Sequence, residues 1–332
     1  MGKRGMISEK LVANSSHWRL VCVAIGIGHL PEVRRLKQPS QNQRRPAPSA
    51  TNAPVADPGG LVARALAILA EEGITSDQTR FLDLPAQGQA FNDENRPVDP
   101  PLQHRVLSDG TKVRLPIRYF DDTCLIATFL IDPNRAAEPL LGTGLRAALQ
   151  EDGKAVVALG CFEYRKTDIG PYNEVGLVVS AVAPGDPIPA LYVTNLPVNT
   201  AVAHRAGREI WGYNKFVAAI DIKRDRKKFS MSIRDPEALT IATLEVTRGA
   251  SVPAPPTDML TFSLLQGKVI KTLIRVLTPF QVSSGDGFVL KVGTSRHPMA
   301  DNLRTLALDR ARPMLLQYAD PFQSLLFPGR VV

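Results

Sequence analysis

From residue 112 to residue 294 the chain is a succession of short apolar runs, 8 to 11 residues long, each stopped by Pro, Gly, Asp or Asn. They read "KVRLPIRYF", "TCLIATFLID", "KAVVALGCFEY", "EVGLVVSAVA", "ALYVTNLPV", "KFVAAIDIK", "KFSMSIRD", "LTIATLEVT" and "GFVLKVGT". Runs of this length, rich in β-branched and aromatic residues and closed by turn formers, read as strands. "DIKRDRKKFSMSI" reads as a hairpin with a charged tip. Helical patterns are fewer: "AEPLLGTGLRAALQ" and part of residues 300–318. Many strands with few helices predict a β-rich α+β fold, a mostly antiparallel barrel or sandwich with a few decorating helices. In "KFVAAIDIK" alternation puts Lys215 on one face with Val217 and Ala219, and Phe216, Ala218 and Ile220 on the other. Both faces are apolar, so a strand buried on both sides is expected there, with a lysine at its mouth.

Ahead of this body lie two segments of different texture. Residues 1–60 form a basic, proline-rich extension, and "QPSQNQRRPAPSATNAPVADPGG" within it nearly lacks large apolar side chains, as linkers and disordered segments do. Residues 61–103 hold a short helix, "LVARALAILAEEG", and a connecting loop, so the ordered body is expected over 104–332. The formal charge of +8 is concentrated at the start: residues 1–46 carry nine basic side chains against two acidic ones. The rest is nearly neutral, which argues against a basic groove for nucleic acid. Cys22, Cys124 and Cys161 are odd in number and scattered, so neither a disulfide framework nor a zinc site is indicated, and a reducing, cytoplasmic setting fits. "LVCVAIGIGHL" is too short to span a membrane and lacks a small-residue cleavage site; an extension or an over-extended start of translation is the expectation.

Three charged residues stand at the margins of apolar runs. Lys215 is one. Glu163 follows Val157, Leu159 and Cys161 on one face of its run, and Glu174 stands between the turn "IGPYN" and "VGLVVSAV". A charge at a strand end is ordinarily a solvated rim residue, but burying an unpaired one costs several kcal/mol, so three close together invite a functional reading. Other motifs are weak. "GDGF" opens no dinucleotide loop, His204 and His297 read as polar fillers, and no metal, phosphate-loop or serine-nucleophile signature occurs, so neither cofactor nor metal is expected.

"GREIWGYNK" (207–215) resembles the signature of the acetoacetate decarboxylase family, in which a Gly-Arg-Glu leads to a Schiff-base lysine. "GPYNEV" (170–175) resembles the family's segment bearing its catalytic glutamate, and "FEY" (162–164) stands where the family has a second. "LKVGTSRHPMADNLRTLAL" is similar to its late strand and following loop. The resemblance implies an acetoacetate decarboxylase-like barrel, Lys215 and Glu174 as catalytic residues, and Glu163, Arg118, Phe216 and Tyr172 as substrate-binding residues. It also implies a homo-oligomer and a small keto acid as partner; charge distribution and hydropathy lead to the expectation of neither nucleic acid nor membrane. Two departures stand out. Phe216 and Asn214 replace the family's paired lysine and its proline. The register of the family's pocket arginine falls near Asp121 and Asp122, with Arg118 close by.

The chemistry explains the residue types. A β-keto acid loses CO2 slowly because the electrons left behind have no good acceptor; a lysine amine condensed with the ketone supplies one as a protonated imine. The amine must be neutral to attack, and burial or a neighbouring cation achieves this in lysine nucleophiles, the family being an instance. Because Phe216 cannot repel an ammonium, burial is the means left to this chain. Three readings follow: decarboxylation of a small β-keto acid, an imine-dependent aldolase or dehydratase reaction, and a non-catalytic binding protein on the same fold.

Overall fold

The apolar runs do form strands, and the computed structural model, which describes residues 102–332, shows what buries them on both sides. In chain order the first are β1 (Gln103–Val106), β2 (Lys112–Leu115), β3 (Ile117–Ile131), β4 (Arg146–Ala147), β5 (Ala155–Thr167) and β6 (Tyr172–Ala183). Next come β7 (Asp186–Val198), β8 (Lys215–Val217), β9 (Ala219–Arg224), β10 (Lys228–Arg234), β11 (Thr240–Thr247) and β12 (Val252–Ala254). The last are β13 (Met259–Leu265), β14 (Lys268–Val276), β15 (Phe280–Ser284), β16 (Phe288–Val292), β17 (Leu315–Leu326) and β18 (Arg330–Val331). Three short α-helices decorate them: α1 (Pro133–Ala137), α2 (Ala201–Ala206) and α3 (Pro298–Thr305). The expectations for residues 1–60, and for 61–103 apart from Leu102 and Gln103, lie outside the described residues.

Seven strands close into a barrel in the order β17-β3-β5-β6-β7-β13-β14, with β14 pairing back to β17. All neighbours are antiparallel except β7 and β13. A second sheet, β16-β11-β10-β9, covers part of the outer wall. This gives β5 and β6 an apolar environment on both faces. Val157, Leu159 and Cys161 of β5 and Val175, Leu177 and Val179 of β6 point outward, into a core shared with Phe229, Met231 and Ile233 of β10. Ala158, Phe162 and Tyr164 point inward, into a separate core within the barrel. The continuous apolar runs of β5 and β6 therefore reflect a wall sandwiched between two cores.

Two sequence readings are corrected. "KFVAAIDIK" is two strands in different sheets: β8 pairs with β7 of the barrel, and β9 pairs with β10 of the covering sheet. The chain crosses over at Ala218, and Val217 is 45% exposed, so the run is not buried on both faces. "AEPLLGTGLRAALQ" is not one helix. Its helical part ends in a single 3-10 turn, Glu138–Leu140, and positive φ at Gly142 and Gly144 turns the chain toward β4. Among the described residues no helix is long and apolar enough to cross a membrane.

Candidate active site

The barrel interior is not completely filled. A cavity of about 100 Å³ runs inside it, several times the ~10–15 Å³ that one water needs. Its wall is apolar except for the Lys215–Glu174 pair and a few hydroxyls, those of Tyr119, Tyr164, Tyr213, Thr261 and Ser324.

Lys215 reaches this wall through the segment the sequence singled out. The chain leaves α2 through a single π-turn, Gly207–Trp211, before entering β8. Gly207 lies flush against the Lys215 side chain: a Cβ at 207 would collide with Lys215 Cδ and Cε. Trp211 Nε1 donates to the Phe327 carbonyl at 2.8 Å, and the Ser263 hydroxyl donates to the Trp211 carbonyl at 2.6 Å. Asn214, where the family has proline, donates from Nδ2 to the Thr194 carbonyl at 2.7 Å. Arg208 donates to the Lys215 carbonyl at 3.2 Å, and Glu209 accepts from the Ser108 backbone and hydroxyl at 2.8 and 2.6 Å. The motif thus holds the lysine by packing and backbone hydrogen bonds from both sides.

Lys215 Nζ donates to Glu174 Oε2 at 2.5 Å, and each residue is 7% exposed. The ammonium also sits 5.5 Å from the centre of the Tyr172 ring, within cation–π range. Tyr164 donates to Glu174 Oε1 at 3.5 Å, and Tyr119 and Tyr172 share a hydrogen bond at 3.1 Å. The rings of Tyr119, Tyr164 and Tyr172 pack together, with centroids 4.6 and 4.7 Å apart. Burial pushes all three phenols well above their ordinary range, so they stay protonated. Tyr213 shares a hydrogen bond with Thr261 at 2.7 Å, and burial raises its phenol too.

The other residues expected at the site are elsewhere. Alternation along β5 turns Ala158, Gly160, Phe162 and Tyr164 to the cavity and Glu163 away from it. The expectation of a second pocket glutamate is therefore corrected: Glu163 accepts from Arg165 at 3.2 Å and from Arg224 at 2.8 Å in a surface network with Asp320. Arg118 is held by Asp168 through Nε and Nη2, at 2.9 Å for the closest contact, and does not line the cavity. Phe216, one residue after Lys215, faces away and stacks on His297 with centroids 3.9 Å apart. Tyr172 touches the site through its ring. Among the described residues no cluster of potential metal ligands occurs.

Tyr119, Tyr164 and Tyr213 are cavity residues that sequence reasoning missed, although Tyr164 stands inside the quoted "FEY". It named Asp122 only for its register and gave it no role. This carboxylate is fully buried, opposite Tyr164 across β3 and β5; Oδ1 accepts from the Lys166 backbone at 3.3 Å and Oδ2 has no hydrogen-bond partner. Burial pushes its carboxyl up to about 7.

A closed β-barrel with a buried lysine–glutamate pair on an apolar cavity defines a class of protein that can present an amine away from water. The sequence profile of the family Acetoacetate decarboxylase (ADC) matches residues 101–282, more than half of the chain, and the chain belongs to that family. Among solved structures it is similar to an acetoacetate decarboxylase from Legionella pneumophila, at 16% identity and a TM-score of 0.50, over 65% of this chain and 87% of that one. An acetoacetate decarboxylase-like enzyme from Sphingomonas wittichii gives 14% identity and a TM-score of 0.49, over 66% and 94%. The enduracididine biosynthesis enzyme MppR gives 15% and 0.49, over 66% and 89%. At such identities the Legionella likeness is one of fold. No curated protein matches the chain.

Proposed function

We propose that this protein is an imine-forming carbon–carbon lyase that decarboxylates a β-keto acid, with Lys215 as nucleophile and Glu174 as the group that moves protons. The observation that carries this reading is the 2.5 Å contact between Lys215 Nζ and Glu174 Oε2 on the wall of an otherwise apolar cavity. A proton passed along that hydrogen bond turns ammonium and carboxylate into amine and carboxylic acid. The step creates no net charge.

The free amine adds to the ketone carbon. The carbinolamine loses its oxygen as water, taking the proton held on Glu174, and a protonated imine remains. The bond between the α-carbon and the carboxylate then breaks; its electron pair moves toward the imine nitrogen, and CO2 and an enamine result. Glu174, left ionised by the dehydration, takes up the one proton that the reaction consumes and delivers it to the α-carbon, directly or through the Tyr164 hydroxyl, which donates to it at 3.5 Å. Water releases the ketone and the amine. The balance is one keto acid anion and one proton consumed, one ketone and one CO2 formed.

The apolar wall suits this step. The carboxylate loses its charge as CO2 departs, so surroundings that solvate charge poorly destabilise the starting anion more than the transition state. Arg118 is engaged by Asp168, which leaves the imine itself as the cation beside the departing carboxylate.

The test is borohydride reduction during incubation with 3-oxobutanoate, alongside measurement of CO2 release. The expected result is inactivation that depends on both reagents, and CO2 formed in step with the ketone. Inactivation without CO2 would indicate an aldol or dehydration reaction at the same amine, and no adduct with any keto acid would indicate a binding protein.

A further inference from the structure

The cavity is longer than a four-carbon acid requires. On the inward faces of β5 and β6 the cross-strand pairs run Phe162–Glu174, Gly160–Gly176 and Ala158–Val178. The layer next to Glu174 is thus built from two glycines. A Cβ at 160 would meet Phe162 Cε2 at 2.8 Å, and one at 176 would meet Leu196 Cδ1 at 3.2 Å, so side chains here would narrow the barrel directly beside the amine. Beyond the glycines the wall continues with Ala158 and Val178. From Glu174 to Val178 is four residues, roughly 13 Å of strand.

A second, smaller cavity of about 20 Å³ lies past this point, and Ile126, Ala158, Leu191 and Met259 line both spaces. That space also carries Thr128, the direct cross-strand neighbour of Ala158, with Thr257 and Gln317, and the Thr128 hydroxyl is buried without a hydrogen-bond partner. From Lys215 to these groups the passage is apolar apart from the hydroxyls of Tyr213, Thr261 and Ser324, the first two of which share a hydrogen bond, and it ends on polar groups. An extended alkyl chain advances ~1.3 Å per carbon–carbon bond. The methyl group of 3-oxobutanoate would leave most of the passage empty.

We propose that the substrate is a 3-oxo acid whose ketone carries an unbranched apolar arm of roughly four to eight carbons, lying along the Gly160–Gly176 passage toward Thr128. This inference rests on the imine reading of Lys215. Moving a methylene from water to an apolar wall is worth up to roughly fourfold in affinity. Efficiency should therefore climb with arm length until the terminal methyl meets the polar end.

The experiment compares 3-oxobutanoate, 3-oxohexanoate and 3-oxooctanoate with the full chain, measuring kcat/KM for ketone formation and borohydride trapping in parallel. The expected result is a rise of at least ~10-fold from 3-oxobutanoate to 3-oxooctanoate, carried mainly by KM. Ala158→Leu, which fills the junction of the two cavities, should lower the ratio of 3-oxooctanoate to 3-oxobutanoate efficiency at least ~5-fold. A ratio is read within one preparation, so partial loss of folded protein cancels. Trapping of all three acids with efficiency flat or falling along the series would overturn the arm and leave the imine reading standing. An unchanged ratio in Ala158→Leu would overturn its path. Failure to trap any of the three would remove the imine reading, and this inference with it.

Discussion

Among the described residues two lysines are buried, and each is paired with a carboxylate. Lys215 meets Glu174 at 2.5 Å, and Lys271 meets Asp186 at 2.8 Å. Each ammonium also sits 5.5 Å from an aromatic ring centre, Tyr172 for the first and Phe262 for the second. Their surroundings differ. Lys271 is fully buried, donates additionally to the Ile188 carbonyl at 3.3 Å, and lines neither of the two cavities described above. It ties β14 to the start of β7. Lys215 stands on the wall of an open space, with Tyr164 placed to donate to its partner. A buried lysine is therefore not by itself a site: it needs room beside its nitrogen for a carbonyl carbon. By that criterion Lys271 is structural and Lys215 is the candidate nucleophile.

Substitutions can separate the two roles, and the largest effect is expected at Lys215. Lys215→Ala should reduce borohydride trapping and turnover to background while the β signature in circular dichroism is retained; substantial residual turnover would exclude it as nucleophile. Glu174→Gln should still form the imine but turn over perhaps 10²-fold more slowly, as expected of a group that handles protons. A rate within twofold of wild type would make Glu174 a structural partner only.

Lys271→Met should do the opposite. It strands the Asp186 carboxylate in a buried position, a change that costs about 3–5 kcal/mol, which urea unfolding would report. Trapping per folded molecule should not change. If it fell in parallel with that of Lys215→Ala, the division between the two lysines would fail.

Asp122 offers a smaller test, through pH. Its carboxyl is pushed up to about 7 by burial, whereas an unfolded aspartate titrates near 3.9. Between about pH 4 and 7 the folded state therefore binds more protons than the unfolded one, so this group makes stability fall as pH rises, by at most ~1.4 kcal/mol per unit. Asp122→Asn should flatten that slope in urea midpoints taken at pH 5 and pH 8; an identical slope would show that Asp122 ionises freely. The smallest effect is expected at Phe216. Because its ring faces His297 rather than the cavity, Phe216→Leu should leave KM within about twofold and lower stability by about 1 kcal/mol.

Much of this site could be read from short segments. "GREIWGYNK" and "GPYNEV" carry the two residues that meet at 2.5 Å, although they stand 41 positions apart. What alternation could not settle was which face of a strand looks inward. β5 is apolar on both faces, so grouping Glu163 with Val157, Leu159 and Cys161 was right about the shared face and wrong about the cavity, which lies on the other side. The same holds for "KFVAAIDIK", whose unbroken apolar texture hides a change of sheet at Ala218. Three barrel strands, β13, β14 and β17, escaped the reading because charges interrupt or flank their apolar residues: Lys271 inside β14, Asp320 inside β17 and Asp258 just before β13. With them went Thr261, Ile274 and Ser324 of the cavity wall, and the second lysine pair. The cavity itself brings together residues from eight strands, the seven of the barrel and β8, a property of barrel closure that local patterns do not contain.

The most direct measurement of the central claim is peptide mapping by mass spectrometry after borohydride reduction in the presence of 3-oxobutanoate. The account predicts one reduced adduct, carried by the peptide containing Lys215, with the peptide containing Lys271 unmodified. An adduct on Lys271, or adducts spread over surface lysines with Lys215 unmodified, would contradict it.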